Sequence, residues 1–193
     1  MFQTSFIELS ESAVRNNVSF IKSLLGEEVV FSAVVKGNAY GHGISNYCPL
    51  AYRSGIRHFS VFSSEEAYAV YESLVTKDFQ LMIMGDIRSD ALRWVIEKGV
   101  EFYVYEFERL ESAISIAKEL GVKAKIHIEV ETGMNRTGFP IKDLPSVFKS
   151  LEENLENLEI VGLCSHFAGA ESITNYKRIK DQFNRFKKVR EIH

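Results

Sequence analysis

The chain has 193 residues, 46% of them hydrophobic and 25% charged, and a formal net charge of −3, which fits one globular domain with a sizeable core. This charge gives no basic field for nucleic acid or for an anionic membrane surface, and no apolar stretch approaches the roughly 20 residues of a membrane span. Two cysteines are too few for a disulfide framework and no secretory signal opens the chain, so we expect a cytoplasmic protein.

Short β-rich runs alternate with helical patterns along the chain. The runs are mostly continuous apolar stretches, which is typical of parallel strands covered on both faces. An opening segment, Phe6–Leu25, is predicted to hold a short strand and a helix. The predicted core strands are Val29–Val35, His58–Phe62, Leu81–Met84, Glu101–Tyr105, Lys125–Val130 and Ile160–Cys164.

Three further helices are indicated by their ends or faces. Ser63–Glu66 has the pattern of a capping box and predicts a helix after the second core strand. Phe107–Leu120 has helical periodicity and stops at Gly121, a usual helix-ending residue. Thr174–Ile192 is charged overall, with apolar residues on one predicted helical face.

Six βα units predict an α/β fold with a parallel sheet. A closed TIM-type (β/α)8 barrel needs eight units and typically about 250 residues. The chain is therefore either an open sheet or the front part of such a barrel, and the motifs below favour the barrel. We expect residues 1–193 to form one barrel domain that is incomplete at its C-terminus, with about six of the eight units present.

The first chemical motif is Lys36–Gly43, directly after the first core strand. A lysine that ends a buried strand is costly unless it is paired or used, and burial favours its neutral, nucleophilic amine. Glycines in the motif allow a ligand to approach the backbone, and Tyr40 and His42 add hydrogen-bonding groups. The alternative is a surface lysine whose ammonium group reaches solvent.

The second motif is Lys125–Gly138. Strand alternation points His127, Glu129 and Glu131 to one side. Arg136 follows in a glycine-bounded loop, where a guanidinium can clamp a carboxylate or a phenolate. Buried charges need partners, so Glu129 or Glu131 is a natural partner for Arg136. The alternative is a structural ion pair without a ligand.

The third motif, Gly162–Ala170, puts His166 directly after a buried strand, where an imidazole can stack on a planar ring or donate to it. The alternative is a core histidine bound to a carbonyl. Cys48 and Cys164 are predicted to be small buried hydrophobes. No cysteine and histidine spacing suits zinc, and the glycines match neither a Walker loop nor a dinucleotide fingerprint, so we predict no metal site.

Taken together, the motifs resemble the N-terminal barrel domain of alanine racemase, a fold-type III pyridoxal 5'-phosphate (PLP) enzyme. The resemblance runs from Phe6–Ser10, which looks like the family's opening strand, to Ser165 and His166. Its most specific parts are Val34–Gly43 and Glu131–Gly138. Their occurrence together, in order and at predicted strand ends, favours a reactive Lys36 over a surface lysine.

The resemblance implies roles for individual residues. Lys36 would carry PLP as a Schiff base and act as one of two catalytic bases at the substrate Cα. Tyr40 would hydrogen-bond the cofactor phosphate. Arg136 would contact both the phenolic oxygen of the cofactor and the substrate carboxylate, with Met134 also at the substrate.

Further roles follow from the same resemblance. His166 would lie against the pyridine ring, with Ser165 also binding the cofactor. Many family members carry a lysine at the position of Glu129, and the carbamate of that lysine orients the arginine. We therefore expect Glu129 to orient Arg136 as a permanent anion. The alternative is that Glu129 pairs with Lys125 or another surface charge.

Two smaller departures from the family pattern are Gly37 for the usual alanine, which we expect to loosen its loop, and Glu131 for the usual aspartate. The resemblance implies a homodimeric isomerase that interconverts L- and D-alanine and supplies D-alanine for peptidoglycan. The opposite catalytic base, the last barrel strands and the C-terminal β domain would lie outside this chain, so we expect the isolated chain to be inactive. The alternatives are a non-catalytic PLP-binding module of vitamin B6 homeostasis, a racemase of another amino acid, a decarboxylase and an aldolase.

Overall fold

The computed structural model describes residues 5–167, 169 and 172–189. The chain divides into two compact units, Met1–Ala91 and Leu92–His193, with the boundary inside the helix Ser89–Glu97. The predicted helix end at Ile192 and residues 168, 170 and 171 at the end of the third motif lie outside the described residues.

The first unit has parallel strands joined by helices. Its elements are α1 (Glu11–Leu25), β1 (Ser32–Val34), α2 (Lys36–Tyr40), α3 (Ile44–Arg53), β2 (His58–Val61), α4 (Ser64–Ser73) and β3 (Gln80–Ile83), followed by α5 (Ser89–Glu97) at the boundary. β1 pairs with β2 and β2 pairs with β3, both in parallel. All four residues of β2 are buried, as expected of a strand covered on both faces.

The second unit repeats this alternation. Its elements are β4 (Glu101–Val104), α6 (Phe107–Leu120), β5 (Ala124–Glu129), α7 (Leu144–Glu152), β6 (Leu158–Cys164) and α8 (Tyr176–Val189). Short 3-10 turns precede α7 and α8. β4 pairs with β5 and β5 with β6, again in parallel, so the predicted α/β class is confirmed.

One extra residue interrupts the pairing of β5 with β6. Ile126 pairs with Ile160, whereas His127 pairs with Gly162, so Val161 is left over as a β-bulge. A Cβ added at Gly162 would lie 3.1 Å from His127 Nδ1. Glycine at this position therefore leaves room for the imidazole on the neighbouring strand.

Five of the six predicted core strands are confirmed with ends shifted by one or two residues, while the first is shorter than Val29–Val35. β1 begins at Ser32, opposite the first residue of β2, His58, because a strand extends only as far as its hydrogen-bonding partner. The first two residues of the predicted run are exposed. Pairing continues beyond β1, since the Val35 N–H donates to Ser60 O at 2.8 Å.

The predicted opening strand is wrong. Residues 5–10 form no strand, and Phe6 is 82% exposed. An extended segment is stable only when its backbone pairs with a neighbour, and no described residue pairs with this one. The helical part of the prediction is confirmed as α1, which begins after Ser10, whose hydroxyl accepts from the Ala13 N–H at 3.3 Å.

β6 departs from the expectation of strands covered on both faces. Ile160 is 43% exposed and Val161 is similarly open. Within the described part of the chain, β5 is the strand that pairs with β6, so one side of β6 has no strand neighbour.

No helix among the described residues combines the length and the apolar composition that a membrane crossing requires.

Phe102 on β4 is fully buried, so we predict that Phe102→Ala lowers the free energy of unfolding by about 3–5 kcal/mol through lost apolar burial and a residual cavity. Phe6→Ala removes the same atoms from an exposed site and should change stability by no more than about 0.5 kcal/mol. Urea unfolding of both variants measures the difference. Equal losses in the two variants would contradict the assignment of Phe102 to the core.

Candidate functional site

Lys36 lies at the C-terminal end of β1 and opens a turn of left-handed backbone. The φ/ψ angles are 61°/42° at Gly37, 53°/50° at Asn38 and 55°/47° at Ala39, and φ is 52° at Tyr40. Left-handed backbone costs roughly 1–2 kcal/mol for each residue that carries a Cβ. Glycine escapes this cost, so Gly37 favours the turn geometry, while the expectation that it loosens the loop stays a prediction.

Hydrogen bonds from both sides hold this turn. At its start, the Ala39 N–H donates to Val35 O at 2.8 Å. At its end, the Ile44 N–H donates to Asn38 Oδ1 at 2.9 Å, so the Asn38 side chain caps the first turn of α3. The segment that follows the lysine is therefore a fixed structure and no longer only a glycine-rich loop.

The predicted functional side chains of this turn have different surroundings. Lys36 is half-buried, and its amine forms no hydrogen bond or ion pair with the described residues. Tyr40 is 65% exposed, so its hydroxyl is available to a ligand. The exposed His42 ring lies 6.3 Å from the ring of Tyr47, centroid to centroid.

Glu66, in the first turn of α4, makes three hydrogen bonds at the turn after Lys36 and at the end of β2. Its Oε1 accepts from the Gly37 N–H at 2.6 Å and from the Asn38 N–H at 3.4 Å, and its Oε2 accepts from the Phe62 N–H at 2.9 Å. The predicted capping box is confirmed in one half, since the Ser63 hydroxyl accepts from the Glu66 N–H at 3.3 Å. Its other half is wrong, because the Glu66 carboxylate binds these three amides in place of the Ser63 N–H.

The second motif lies in the second unit, where residues 131–138 form a loop with a closed base. The Phe139 N–H donates to Glu129 O at 2.8 Å, and the Glu131 N–H donates to Phe139 O at 3.0 Å. A Cβ at Gly138 would lie 2.6 Å from Glu131 N, so this position requires glycine. The base of the loop is thereby anchored at the end of β5.

Within the loop, Glu131 and Arg136 do not pair. The Glu131 carboxylate accepts from the backbone N–H groups of Gly133 and Asn135, the latter at 2.5 Å. Its acceptor atoms are used to shape the loop, including the left-handed Asn135. Arg136 is exposed and forms no ion pair with the described residues within 4.0 Å.

Glu129 is the most deeply buried charged group of the second motif. Its side chain ends β5 at 2% exposure, and Oε2 has no hydrogen-bond partner among the described residues. Burial raises the pKa of Glu129, while a hydrogen bond with Thr137 and the nearby charge of Arg136 act to lower it. Glu129 and Arg136 thus attract each other without direct contact.

Two groups on neighbouring strands adjoin Glu129. Tyr103 on β4 hydrogen-bonds with Cys164 at the end of β6. Burial, followed by the charge of Glu129, raises the pKa of Cys164 to about 12, and burial chiefly raises the pKa of Tyr103. The prediction of buried hydrophobic cysteines is confirmed for Cys48 but wrong for Cys164, which is half-buried beside polar groups.

His127 has a structural partner that the sequence did not reveal. Its Nε2 lies 2.7 Å from Oε2 of the buried Glu101 on β4. For His127, this contact between β5 and β4 fits the alternative of a structural pair without a ligand.

Helix α8 forms hydrogen bonds with the loops that follow β5 and β6. Gln182 Nε2 donates to His166 O at 2.9 Å and lies 3.4 Å from Thr132 Oγ1, while Arg185 donates to Thr132 O at 3.0 Å. The buried face of α8 holds Gln182 and Val189. The face predicted from apolar residues is partly open.

The remaining predicted residues lie at the same two loops. Ser165 Oγ donates to Val130 O at 2.9 Å and lies 2.6 Å from Thr132 Oγ1. The side chain of Met134 lies 3.7 Å from an Arg178 nitrogen. His166 follows Ser165 and is exposed.

The structure places the predicted residues in two sets, each directly after parallel strands. Lys36 and Tyr40 form the set of the first unit. The set of the second unit comprises Glu129, Met134, Arg136, Ser165 and His166. In α/β folds the carboxyl ends of the strands carry the functional groups.

We predict a pH-dependent gain in stability for Glu129→Gln. Burial raises the Glu129 pKa above its ordinary value of 4.5, so ionisation destabilises the folded state as pH rises. Below about pH 4.5 the variant and the native chain should differ least, and the advantage of glutamine should grow towards neutrality. Urea unfolding at several pH values measures this difference. Glu111→Gln, at an exposed position of α6, controls for the lost charge, and a difference independent of pH would contradict the burial argument.

The family described as alanine racemase, N-terminal domain, matches residues 9–192. An alanine racemase of Methanococcus maripaludis is 34% identical over 166 residues, covering 86% of this chain and 44% of that protein. The solved alanine racemase of E. faecalis has a TM-score of 0.85 at 26% identity, covering 95% of this chain and 49% of that one. The alanine racemase of Bartonella henselae, solved with covalently bound pyridoxal phosphate, has a TM-score of 0.80 at 26% identity, covering 93% and 49%.

These comparisons confirm the predicted fold as a TIM-type partial barrel of the alanine racemase kind. The chain spans about half the length of the relatives it matches.

Proposed function

The chain belongs to the alanine racemase N-terminal domain family, and from that premise we propose that it is the PLP-binding part of a racemase that interconverts L- and D-alanine. The observation that carries the proposal is the half-buried residue Lys36 at the end of β1, followed by a backbone turn held by hydrogen bonds. A reactive amine needs such a position, partly shielded from water and held by its surroundings.

The chemistry of the donor groups fits PLP. The chain offers a primary amine at Lys36, an exposed phenol at Tyr40, an exposed guanidinium at Arg136 and an exposed imidazole at His166. These groups suit an aldehyde, a phosphate, a phenolate with a carboxylate, and an aromatic ring, respectively. PLP, when bound, supplies an electron sink for the pair of electrons left when the Cα–H bond breaks.

In this proposal Lys36 would hold the cofactor through its amine. As one of two catalytic bases, the same amine would remove the Cα proton from one face of the substrate, or deliver a proton to that face, while a second base serves the opposite face. Tyr40 binds the cofactor phosphate, and His166 lies against its ring, with Ser165 beside it. The hydrogen bond from Gln182 to His166 O supports this role, because it restrains the backbone of that histidine.

Arg136 and Met134 bind the substrate, with Arg136 on the substrate carboxylate and the cofactor phenolic oxygen. Glu129 orients Arg136 from within the fold. Support comes from the free Glu129 Oε2, which has acceptor capacity left, and from its electrostatic attraction to Arg136. A guanidinium held between a carboxylate and a ligand keeps a fixed direction.

The wider assignment is part of the same proposal. We assign the complete enzyme to the bacterial cytoplasm as a homodimer, with alanine as its small-molecule substrate and peptidoglycan as the use of its D-alanine. The alanine racemase named in Methanococcus maripaludis and the solved racemases support the reaction class.

Cofactor binding gives the first test. Incubation of the chain with PLP followed by borohydride should add one pyridoxyl group to Lys36, located by peptide mass spectrometry, because a shielded amine condenses with the aldehyde. Lys36→Ala should abolish this label, and Lys123→Ala, at an exposed lysine, should not. A label spread over surface lysines, equal in native chain and Lys36→Ala, would overturn the assignment. Alanine racemisation by a protein that also carries the other half of the relatives' length separates a racemase from a PLP carrier.

The role of Glu129 gives a second test in the complete enzyme. Glu129→Gln should lower kcat/KM for alanine about tenfold or more, because a neutral amide orients Arg136 less strongly than a carboxylate. Bicarbonate should not change the activity of the native enzyme, since Glu129 is a permanent anion. Glu129→Lys should become dependent on bicarbonate if a carbamate can take the place of the carboxylate. A native activity that rises with bicarbonate would contradict the role.

A further inference from the structure

We propose that Glu66 is a positioning residue for the Lys36 amine, an inference that rests on the proposed function of Lys36. Glu66 lies on α4 and does not itself bear the reactive group. Its carboxylate accepts hydrogen bonds from two neighbouring segments. These are the turn after β1, through the N–H groups of Gly37 and Asn38, and the end of β2, through the N–H group of Phe62.

The contact with Gly37 acts directly on the lysine. The Gly37 N–H belongs to the peptide group that follows Lys36 Cα, so its orientation sets the ψ angle of Lys36. At 2.6 Å, the bond to Glu66 Oε1 is short for an N–H donor, as expected when the acceptor is ionised. Glu66 therefore fixes the peptide group that follows Lys36, and with it the placement of the turn beside the Lys36 side chain.

The turn needs such a contact because its geometry is costly. Asn38, Ala39 and Tyr40 carry a Cβ and adopt left-handed backbone, which L-residues avoid without compensation. The Glu66 carboxylate offers charge-assisted acceptors to two successive N–H groups at the start of this turn. Without them, the turn loses a main restraint against returning to ordinary backbone.

The N–H donors of the turn and of Phe62 require that both oxygens of the Glu66 side chain act as acceptors. Glu66 Oε1 and Oε2 both accept from backbone N–H groups, so an amide would present its own N–H groups to one of these donors. Glu66→Gln therefore breaks the bond to either the turn or Phe62 while keeping the size of the side chain. Glu66→Asp keeps the charge but is one methylene too short to span both sets of donors.

The test uses the whole chain and two readouts. Amide hydrogen exchange, followed by NMR, should become at least about tenfold faster at Gly37 and faster at Asn38 and Phe62 in Glu66→Ala, because this variant removes both acceptor oxygens. Borohydride trapping of PLP on Lys36 should slow several-fold in the same variant. Glu66→Asp should give intermediate values for both, since charge is retained and reach is reduced.

Glu65→Gln is the matched control. Glu65 is exposed in the same first turn of α4, so its loss removes an equal charge from the helix N-terminus without touching the β1 turn. Both readouts should match those of the native chain. Core amides on β2 should exchange at the native rate in every variant, which separates a local effect from unfolding.

The outcomes separate this inference from the proposed function. Native exchange rates at Gly37 and Asn38 in Glu66→Ala would overturn the contact, and faster exchange with unchanged trapping would overturn its effect on Lys36. Failure of the native chain to trap PLP on Lys36 would overturn the proposed function, and with it the cofactor role of Glu66. Faster exchange together with slower trapping, absent from Glu65→Gln, supports the inference.

Discussion

The left-handed turn after Lys36 is the constraint on which the candidate residues of the first unit depend. Right-handed backbone is the default for L-residues, and the three successive exceptions Asn38, Ala39 and Tyr40 persist only where the surroundings hold them. Here the strand before the turn, the cap of α3 and the carboxylate of Glu66 all contribute hydrogen bonds. The position of the amine is thus a product of the backbone network around it.

The candidate residues of the second unit depend on buried polar groups. Glu129 lies among Tyr103, Cys164 and apolar strands, where an ionised carboxylate is poorly solvated. The charge of Arg136 acts to lower the pKa of Glu129 and so opposes the effect of burial. Glu129 is a buried acid whose ionisation costs stability, a combination often found at functional sites.

The sequence predicted the elements better than the contacts between them. Strand and helix patterns depend on neighbouring residues, so α6 matches its prediction, and only the segment at Phe6, which lacks a partner, fails as a strand. Lys36 and Arg136 could be predicted as site residues because their motifs are specific. The contacts of Glu66 and Gln182 could not be predicted, because their hydrogen-bonding partners lie on other elements. In the sequence, Glu66 fits a helix-capping pattern and Gln182 fits an amphipathic helix.

The extra residue in β6 changes which face of the sheet each later side chain of that strand occupies. Side chains alternate along a strand, so counting from Ile160 without an insertion would turn Cys164 towards the helices, on the side of Ile128. The inserted residue reverses that parity and sets Cys164 opposite Glu129. One inserted residue therefore decides which side chains at the end of this strand lie on the face of Glu129. Deleting it would move the later side chains of β6 to the opposite face of the sheet.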